Sequence, residues 1–238
     1  MGKNLIQQKR GKGSSTYRAP SFRYKGKVAY GNYDKKVVSG EIKDLVHCSG
    51  HSAPLMSVKY ENGEEVLLQA PEGVKVGDKI SNGENIEINS GNVLPLKNVP
   101  EGTSVYNIEG CPGDGGKFCR SGGAFAKVIG KTKDKVVLLL PSKKEKEFNG
   151  GCRATVGVIA GSGRTEKPFL KAGFKFYAMK SRNRFWPRSS GLAMNAVSHP
   201  FGGSSTHSKG NASTISRDAP PGAKVGKIAA RRTGRKKR

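Results

Sequence analysis

The chain has 238 residues, 34% hydrophobic and 7% aromatic, against 33 glycines and a formal net charge of +25. So little apolar material excludes one packed core over the whole length, and the charge calls for a polyanionic partner to order part of the chain. The longest strongly apolar run, Val136 to Leu140, is far too short to cross a bilayer, and Met1 to Arg10 has no apolar signal-peptide core, so a cytosolic protein without a membrane partner is expected.

Residues 1–36 carry ten Lys or Arg and one Asp, residues 167–238 carry seventeen and one Asp, and residues 37–166 carry sixteen of each sign. The excess charge lies wholly at the two ends, which reads as a neutral globular middle with two basic arms. Neutralising such arms on phosphates releases condensed counterions, so binding is expected to be strong and salt-dependent.

Residues 1–36, the first arm, mix Gly, Lys, Arg and Ser with spaced aromatics, as in Tyr17-Arg18 and Phe22-Arg23-Tyr24, and show neither helical nor strand periodicity. A disordered tail is one reading; a segment that folds on RNA, its aromatics packing or stacking, is the one a second arm of the same kind favours. Over 37–92 short β-rich runs follow at Val37-Val38 with Ile42, Leu55 to Tyr60, Glu65 to Gln69 and Lys79-Ile80, with Asn62-Gly63 as a hairpin signal. Strands so short and regularly spaced predict a small antiparallel barrel of the OB type.

A second β unit is expected over 93–166, with strands at Ser104 to Ile108, Ala124 to Ile129, Lys135 to Leu140 and Ala154 to Ala160. Lys133-Asp134 turns the middle pair into a hairpin, Pro112 to Lys117 reads as a long flexible loop, and the size fits an SH3-like barrel. The expected fold class is therefore mainly β, an OB-type barrel followed by an SH3-like barrel, with long basic extensions at 1–36 and 167–238.

Two segments in these barrels imitate active centres. His47-Cys48-x-x-His51, with Cys111 and Cys119 further on, lacks the repeated short spacings of a zinc site, so no metal is assigned to it. Cys48, Cys111, Cys119 and Cys152 are expected as reduced thiols, though a hyperthermophilic source would allow disulfides. Gly130-Lys131-Thr132 ends like a phosphate loop, but Phe125 stands where such a loop needs Gly, and the site lies between two strands. No nucleophile, base and acid cluster in a known motif, so no enzyme is expected.

The second arm concentrates the distinctive chemistry. Phe169, Leu170, Phe174, Phe176, Tyr177 and Met179 supply apolar surface to hold a short helical or extended segment against the barrels. Arg182, Arg184 and Arg188 then flank Phe185 and Trp186, the only tryptophan, so cationic forks alternate with flat rings as a polyanion with stackable bases requires. Pro187 and Pro200 forbid one continuous helix, while Gly191, Gly202 and Gly203 let the backbone approach a ligand. His199 has no neighbouring carboxylate to orient it, which favours RNA contact over general-base work. The polar, turn-rich remainder ends in a basic cluster within residues 231–238, a composition that suits either a nuclear localisation signal or rRNA and, after such an arm, favours rRNA.

Trp186-Pro187-Arg188, followed by Gly191-Leu192-Ala193-Met194-Asn195-Ala196-Val197-Ser198-His199-Pro200-Phe201-Gly202-Gly203, closely resembles the signature of the large-subunit ribosomal protein L2 family. Ser213 to Pro220, Val225-Gly226 and Ala229 to Gly234 match that family's C-terminal extension, and Val156 to Gly161 its second barrel, in the form of the archaeal and eukaryotic branch. The resemblance implies two barrels with extensions threaded into large-subunit rRNA, at a place that supports subunit association, tRNA binding and the peptidyl transferase centre. Its expected partners are large-subunit rRNA, other ribosomal proteins, the small subunit across the interface and, indirectly, tRNA; it has no cofactor, with Mg²⁺ present only through bound rRNA. The expected rRNA-binding residues are Arg182, Arg184, Phe185, Trp186, Arg188, Asn195, His199, Gly202, Gly203, Lys209, Arg217, Arg231 and Arg232. By the resemblance His199 corresponds to a family histidine once proposed to take part in peptide-bond formation, but Ser198 stands where the family often has an acid and Ser190 where it often has Arg. A free regulatory protein using the same modules on other RNA is the alternative reading.

Overall fold

A computed structural model describes residues 6–31, 37–203 and 213–232. The chain divides into two compact units, one of residues 21–170 and one of residues 1–20 with 171–238. The first is mainly β, consistent with OB-type and SH3-like barrels, and its ten strands are β1 (Val38–Val46), β2 (Leu55–Tyr60), β3 (Glu65–Gln69), β4 (Lys79–Asn82), β5 (Val93–Pro95), β6 (Ser104–Tyr106), β7 (Ala126–Lys131), β8 (Lys135–Leu139), β9 (Glu145–Asn149) and β10 (Arg153–Val156). They hydrogen-bond in the order β3-β2-β1-β4-β5-β10-β6-β7-β8-β9.

Strand β1 pairs antiparallel with both β2 and β4, and a register shift between Ile42 and Asp44 bends it so that one strand serves both neighbours. Asn62-Gly63 turns β2 into β3, with Gly63 at φ +83° and the Asn62 side chain accepting the Glu64 N–H at 3.0 Å. Both strands of that hairpin have the bounds that the sequence predicts.

The unit holds two apolar clusters, and β5 stands between them. Val93 belongs to the cluster of Ile42, Met56, Val58, Leu68 and Ile80, while Leu94 belongs to that of Val105, Val128, Val136, Leu138 and Phe148. Successive side chains of a strand point to opposite faces, so one short strand feeds both cores. Being buried on both faces, β5 shows no alternation, and the sequence pattern passes over it. Strand β9 is missed for the opposite reason: Glu145, Lys146 and Glu147 are exposed charges that guard a sheet edge, and only Phe148 points inward.

Two expectations for this unit change. Val28 and Tyr30, in the first basic stretch, are buried, and the Tyr30 hydroxyl donates to the Asn107 carbonyl at 2.8 Å and lies 2.7 Å from Thr155 Oγ1. Burial pushes that phenol well above its ordinary pKa, so it stays protonated. Pro112 to Lys117 is not a flexible loop. The Glu109 carboxylate accepts the N–H groups of Gly113 and Gly115, each at 3.2 Å, and Asp114 accepts those of Gly110 at 3.0 Å, Cys111 at 3.1 Å and Gly116 at 3.2 Å. Burial opposes charge on Asp114, but these donors and Lys117 outweigh it and hold the carboxyl below its ordinary pKa.

Glu109 is fully buried and meets Arg153, itself 4% exposed, through Nη2 at 2.8 Å and Nε at 3.1 Å, while Arg153 Nη1 donates to the Gly31 carbonyl at 3.0 Å. Removing one partner strands the other charge out of water. Arg153→Leu is therefore expected to lower the unfolding free energy by about 3 kcal/mol or more. Urea denaturation of the full chain checks this, with the double variant Arg153→Leu, Glu109→Leu recovering part of the loss. The depressed Asp114 group stabilises above its unfolded pKa, and that contribution disappears as pH falls through the folded value. The melting deficit of Asp114→Ala should accordingly be present at pH 7 and shrink towards pH 2 in thermal scans against the parent chain.

Candidate nucleic-acid interface

The unit of residues 1–20 and 171–238 contains twenty-one Lys or Arg and one carboxylate, Asp218, whereas the β unit contains twenty-two and seventeen. One acid cannot neutralise twenty-one cations, so the compact arrangement of this unit works against its own charge until an external polyanion is supplied. Its described elements are α1 (Ile6–Gly11), α2 (Ala172–Lys180) and a two-stranded parallel ladder of β11 (Thr214–Ile215) and β12 (Lys227–Ile228).

Helix α2 buries no residue. Phe174, Phe176 and Tyr177 are exposed with Leu170, because apolar positions at these spacings spread round the helix and form no single face. The helix ends where Asn183 takes φ +53°, and the N–H groups of Arg182 and Arg184 return to the Met179 carbonyl at 3.2 and 2.8 Å. Asn tolerates this left-handed cap, and its side-chain amide donates to the Tyr17 carbonyl, tying the N-terminal segment to the arm.

The two rings that follow differ in surroundings. Trp186 is half-buried with Lys175 Nζ 5.3 Å from its ring centroid, while Phe185 is 48% exposed. Arg184 and Arg188, on either side, are exposed.

Residues 194–203 then close on themselves. The Asn195 carbonyl accepts the N–H groups of Ser198 and His199 at 2.9 and 3.2 Å, the His199 carbonyl that of Gly202 at 2.9 Å, and the Met194 carbonyl that of Gly203 at 3.1 Å. A Cβ at Gly202 would stand 2.5 Å from the Asn195 carbonyl oxygen and closer still to that of Met194, and Gly203 sits at φ +92°. Both glycines therefore have an intramolecular reason to be glycine. The His199 ring lies against Gly191, where a Cβ would overlap it, and its Nδ1 accepts the Phe201 N–H at 3.0 Å. In the neutral ring that leaves the proton on Nε2. Phe201 in turn packs at Gly226, whose Cβ would lie 3.0 Å from the ring, and Val225 beside it is the buried residue of this tail.

A cavity of about 660 Å³ opens here, lined among others by Arg10, Arg184, Phe185, Arg188, Met194 and His199. It joins four of the expected residues: Arg184, Phe185, Arg188 and His199. Arg182, Trp186, Asn195, Gly202 and Gly203 lie next to these in the chain without lining it, and Arg217, Arg231 and Arg232 belong to the returning tail, exposed. Lys209 lies outside the described residues. Sequence reasoning missed Arg10 and Ile6, which reach the cavity from α1; no local pattern links them to a segment so distant in the chain.

The thiols are free: Cys48 and Cys152 buried, Cys119 intermediate and Cys111 exposed. Burial pushes the Cys119 and Cys152 thiols up to about 11, which keeps them protonated. Among the described residues no group of three His, Cys, Asp or Glu converges to hold a metal ion.

A family model described as Ribosomal Proteins L2, C-terminal domain, matches residues 89–221. The large ribosomal subunit protein uL2 of Archaeoglobus fulgidus is 52% identical over 234 residues, covering 98% of this chain and 99% of that one. The protein of the same name from Methanococcus aeolicus is 52% identical over 240 residues, covering 99% and 100%, and that from Natronomonas pharaonis is 50% identical over 236, covering 99% and 97%.

The loop geometry predicts unequal glycines. Gly203→Val forces a β-branched residue to positive φ and is expected to speed amide hydrogen exchange over residues 194–203 by about tenfold or more. Gly173→Ala, where a Cβ meets nothing within 4 Å, should leave that exchange unchanged.

Proposed function

The chain belongs to the ribosomal protein L2 family, and from that premise we propose that it is a structural constituent of the large ribosomal subunit, which holds large-subunit rRNA through its basic unit and performs no chemistry of its own. The single observation that carries the RNA-holding role is the ratio of twenty-one cations to one carboxylate in residues 1–20 and 171–238. The protein's place is the ribosome, in the cytoplasm.

In this reading residues 37–92 and 93–166 are the two barrels, and the extensions thread into rRNA. Arg182, Arg184, Arg188, Lys209, Arg217, Arg231 and Arg232 neutralise phosphates, with Mg²⁺ entering only as the counterion of the RNA. Phe185 offers a face for a base, whereas Trp186, already under Lys175, anchors the turn. Gly202 and Gly203 shape the loop that presents His199 and Asn195.

Support for subunit joining, for tRNA binding and for the peptidyl transferase centre follows from holding that RNA in one shape. His199 is suited to contact and not to general-base work. Its Nδ1 lone pair is taken by the Phe201 N–H, Ser198 stands where an acid would orient it, and the one carboxylate of the unit is Asp218. A free RNA-binding regulator is disfavoured because the ribosomal relatives match both arms as well as the barrels.

Filter binding of the full chain to a large-subunit rRNA transcript across a salt series tests the proposal. The logarithm of affinity should fall steeply with the logarithm of salt concentration, with a slope of about −5 or steeper, and Arg184→Ala should reduce that slope by about 1. A flat salt dependence, or equal affinity for an unrelated RNA of the same length, would contradict it.

A further inference from the structure

The cavity beside His199 is more than a cationic surface. A clamp on an intact A-form helix needs only basic side chains, because the bases are stacked inside and the phosphates stand on a convex outer face. Here the surface is concave, and Ile6, Phe185, Pro187 and Met194 add apolar lining to the basic and hydroxyl groups. Arg184 and Arg188 stand on either side of Phe185 in the chain and line the same space, and α1 adds Arg10. Its volume of about 660 Å³ lies within the range of small-ligand sites, about 300–1,000 Å³. His199, with Nδ1 already bonded to the Phe201 N–H, has Nε2–H left as a donor.

We infer that this cavity receives one unstacked nucleotide of the large-subunit rRNA, its phosphate held by Arg10, Arg184 and Arg188 and its base laid against Phe185. The inference rests on the rRNA-binding reading above and adds to it a single-nucleotide socket built jointly by the N-terminal helix and the C-terminal arm. Stacking needs the ring alone, so it is tolerant of base identity, and His199 Nε2–H supplies a directional contact with a base edge or ribose oxygen. The socket also gives residues 6–10 a function: α1 closes one side of it. Phe185 is the discriminating residue, since its ring carries no charge and is half in solvent, so truncating it removes no ion contact and opens no core.

The test uses the full chain bound to a large-subunit rRNA transcript. Base reactivity is read along the transcript with dimethyl sulfate at A and C and with a carbodiimide at U and G, and affinity is read across a salt series. Phe185→Ala is expected to weaken binding about tenfold at every salt concentration without altering the salt slope, and to unmask a base that the parent chain protects. Phe185→Tyr, which keeps the ring, should restore both. Arg10→Ala should instead reduce the slope by about 1. If the parent chain binds the transcript specifically but Phe185→Ala neither loses affinity nor changes any base reactivity, the socket is wrong while rRNA binding stands. If the parent chain fails to prefer the transcript over unrelated RNA, the rRNA reading falls and takes the socket with it.

Discussion

Like-charge repulsion within residues 1–20 and 171–238 is the constraint from which the behaviour of this protein follows. Twenty-one cations share that unit with Asp218 alone. Salt screens such repulsion beyond about 10 Å at 0.1 M, but Arg182 and Arg184, two residues apart, cannot have Cα atoms separated by more than about 7 Å. A chain so composed is stable in a compact shape only when its charge is answered from outside. Phosphates are the answer that the spacing of arginines with an exposed Phe185 and a half-buried Trp186 fits best. Among the described residues of the unit, contacts such as Phe201 at Gly226 and His199 at Gly191 set the shape of loops, and Val225 alone is buried.

The β unit solves the opposite problem. Its charges are nearly balanced, and exposed pairs such as Lys135–Glu147, at 2.9 Å, add little stability. Its strongest polar device is buried: Glu109 joins β10, the loop of residues 110–116 and, through Arg153, the carbonyl of Gly31. That pair fixes which backbone segments meet, and the two apolar clusters on either side of β5 supply the driving force. A packed β unit joined in one chain to a strongly charged unit suits a scaffold for folded RNA, and that role needs no catalytic centre.

The legible parts of the fold were those in which a local rule acts alone. Alternation and Asn62-Gly63 gave the β2–β3 hairpin its bounds, and Lys133-Asp134 marked the β7–β8 turn. Strand β5 was hidden because both its faces are buried, β9 because an edge strand dressed in Glu and Lys has the composition of a loop, and the order of Pro112 to Lys117 because its hydrogen-bond partner, Glu109, is a tertiary match. Of the residues that line the cavity, Arg184, Phe185, Arg188 and His199 are expected from composition and family resemblance. Arg10 was not, because only folding brings α1 to the cavity. Approach to a ligand is one reason for Gly202 and Gly203, and the loop itself supplies a closer one: carbonyls leave no room for a side chain at Gly202, and Gly203 sits at positive φ. Trp186 stood out as the single tryptophan, yet the packing of Lys175 on its ring makes Phe185 the more available face.

Sedimentation of a cell lysate through sucrose gradients at low and raised salt, following this chain across the fractions, tests the central claim most directly. If a unit with twenty-one cations and one carboxylate exists to be neutralised by large-subunit rRNA, nearly all of the chain should travel with the large subunit and remain there at moderate salt. A chain that runs mostly free at the top of the gradient would contradict the account.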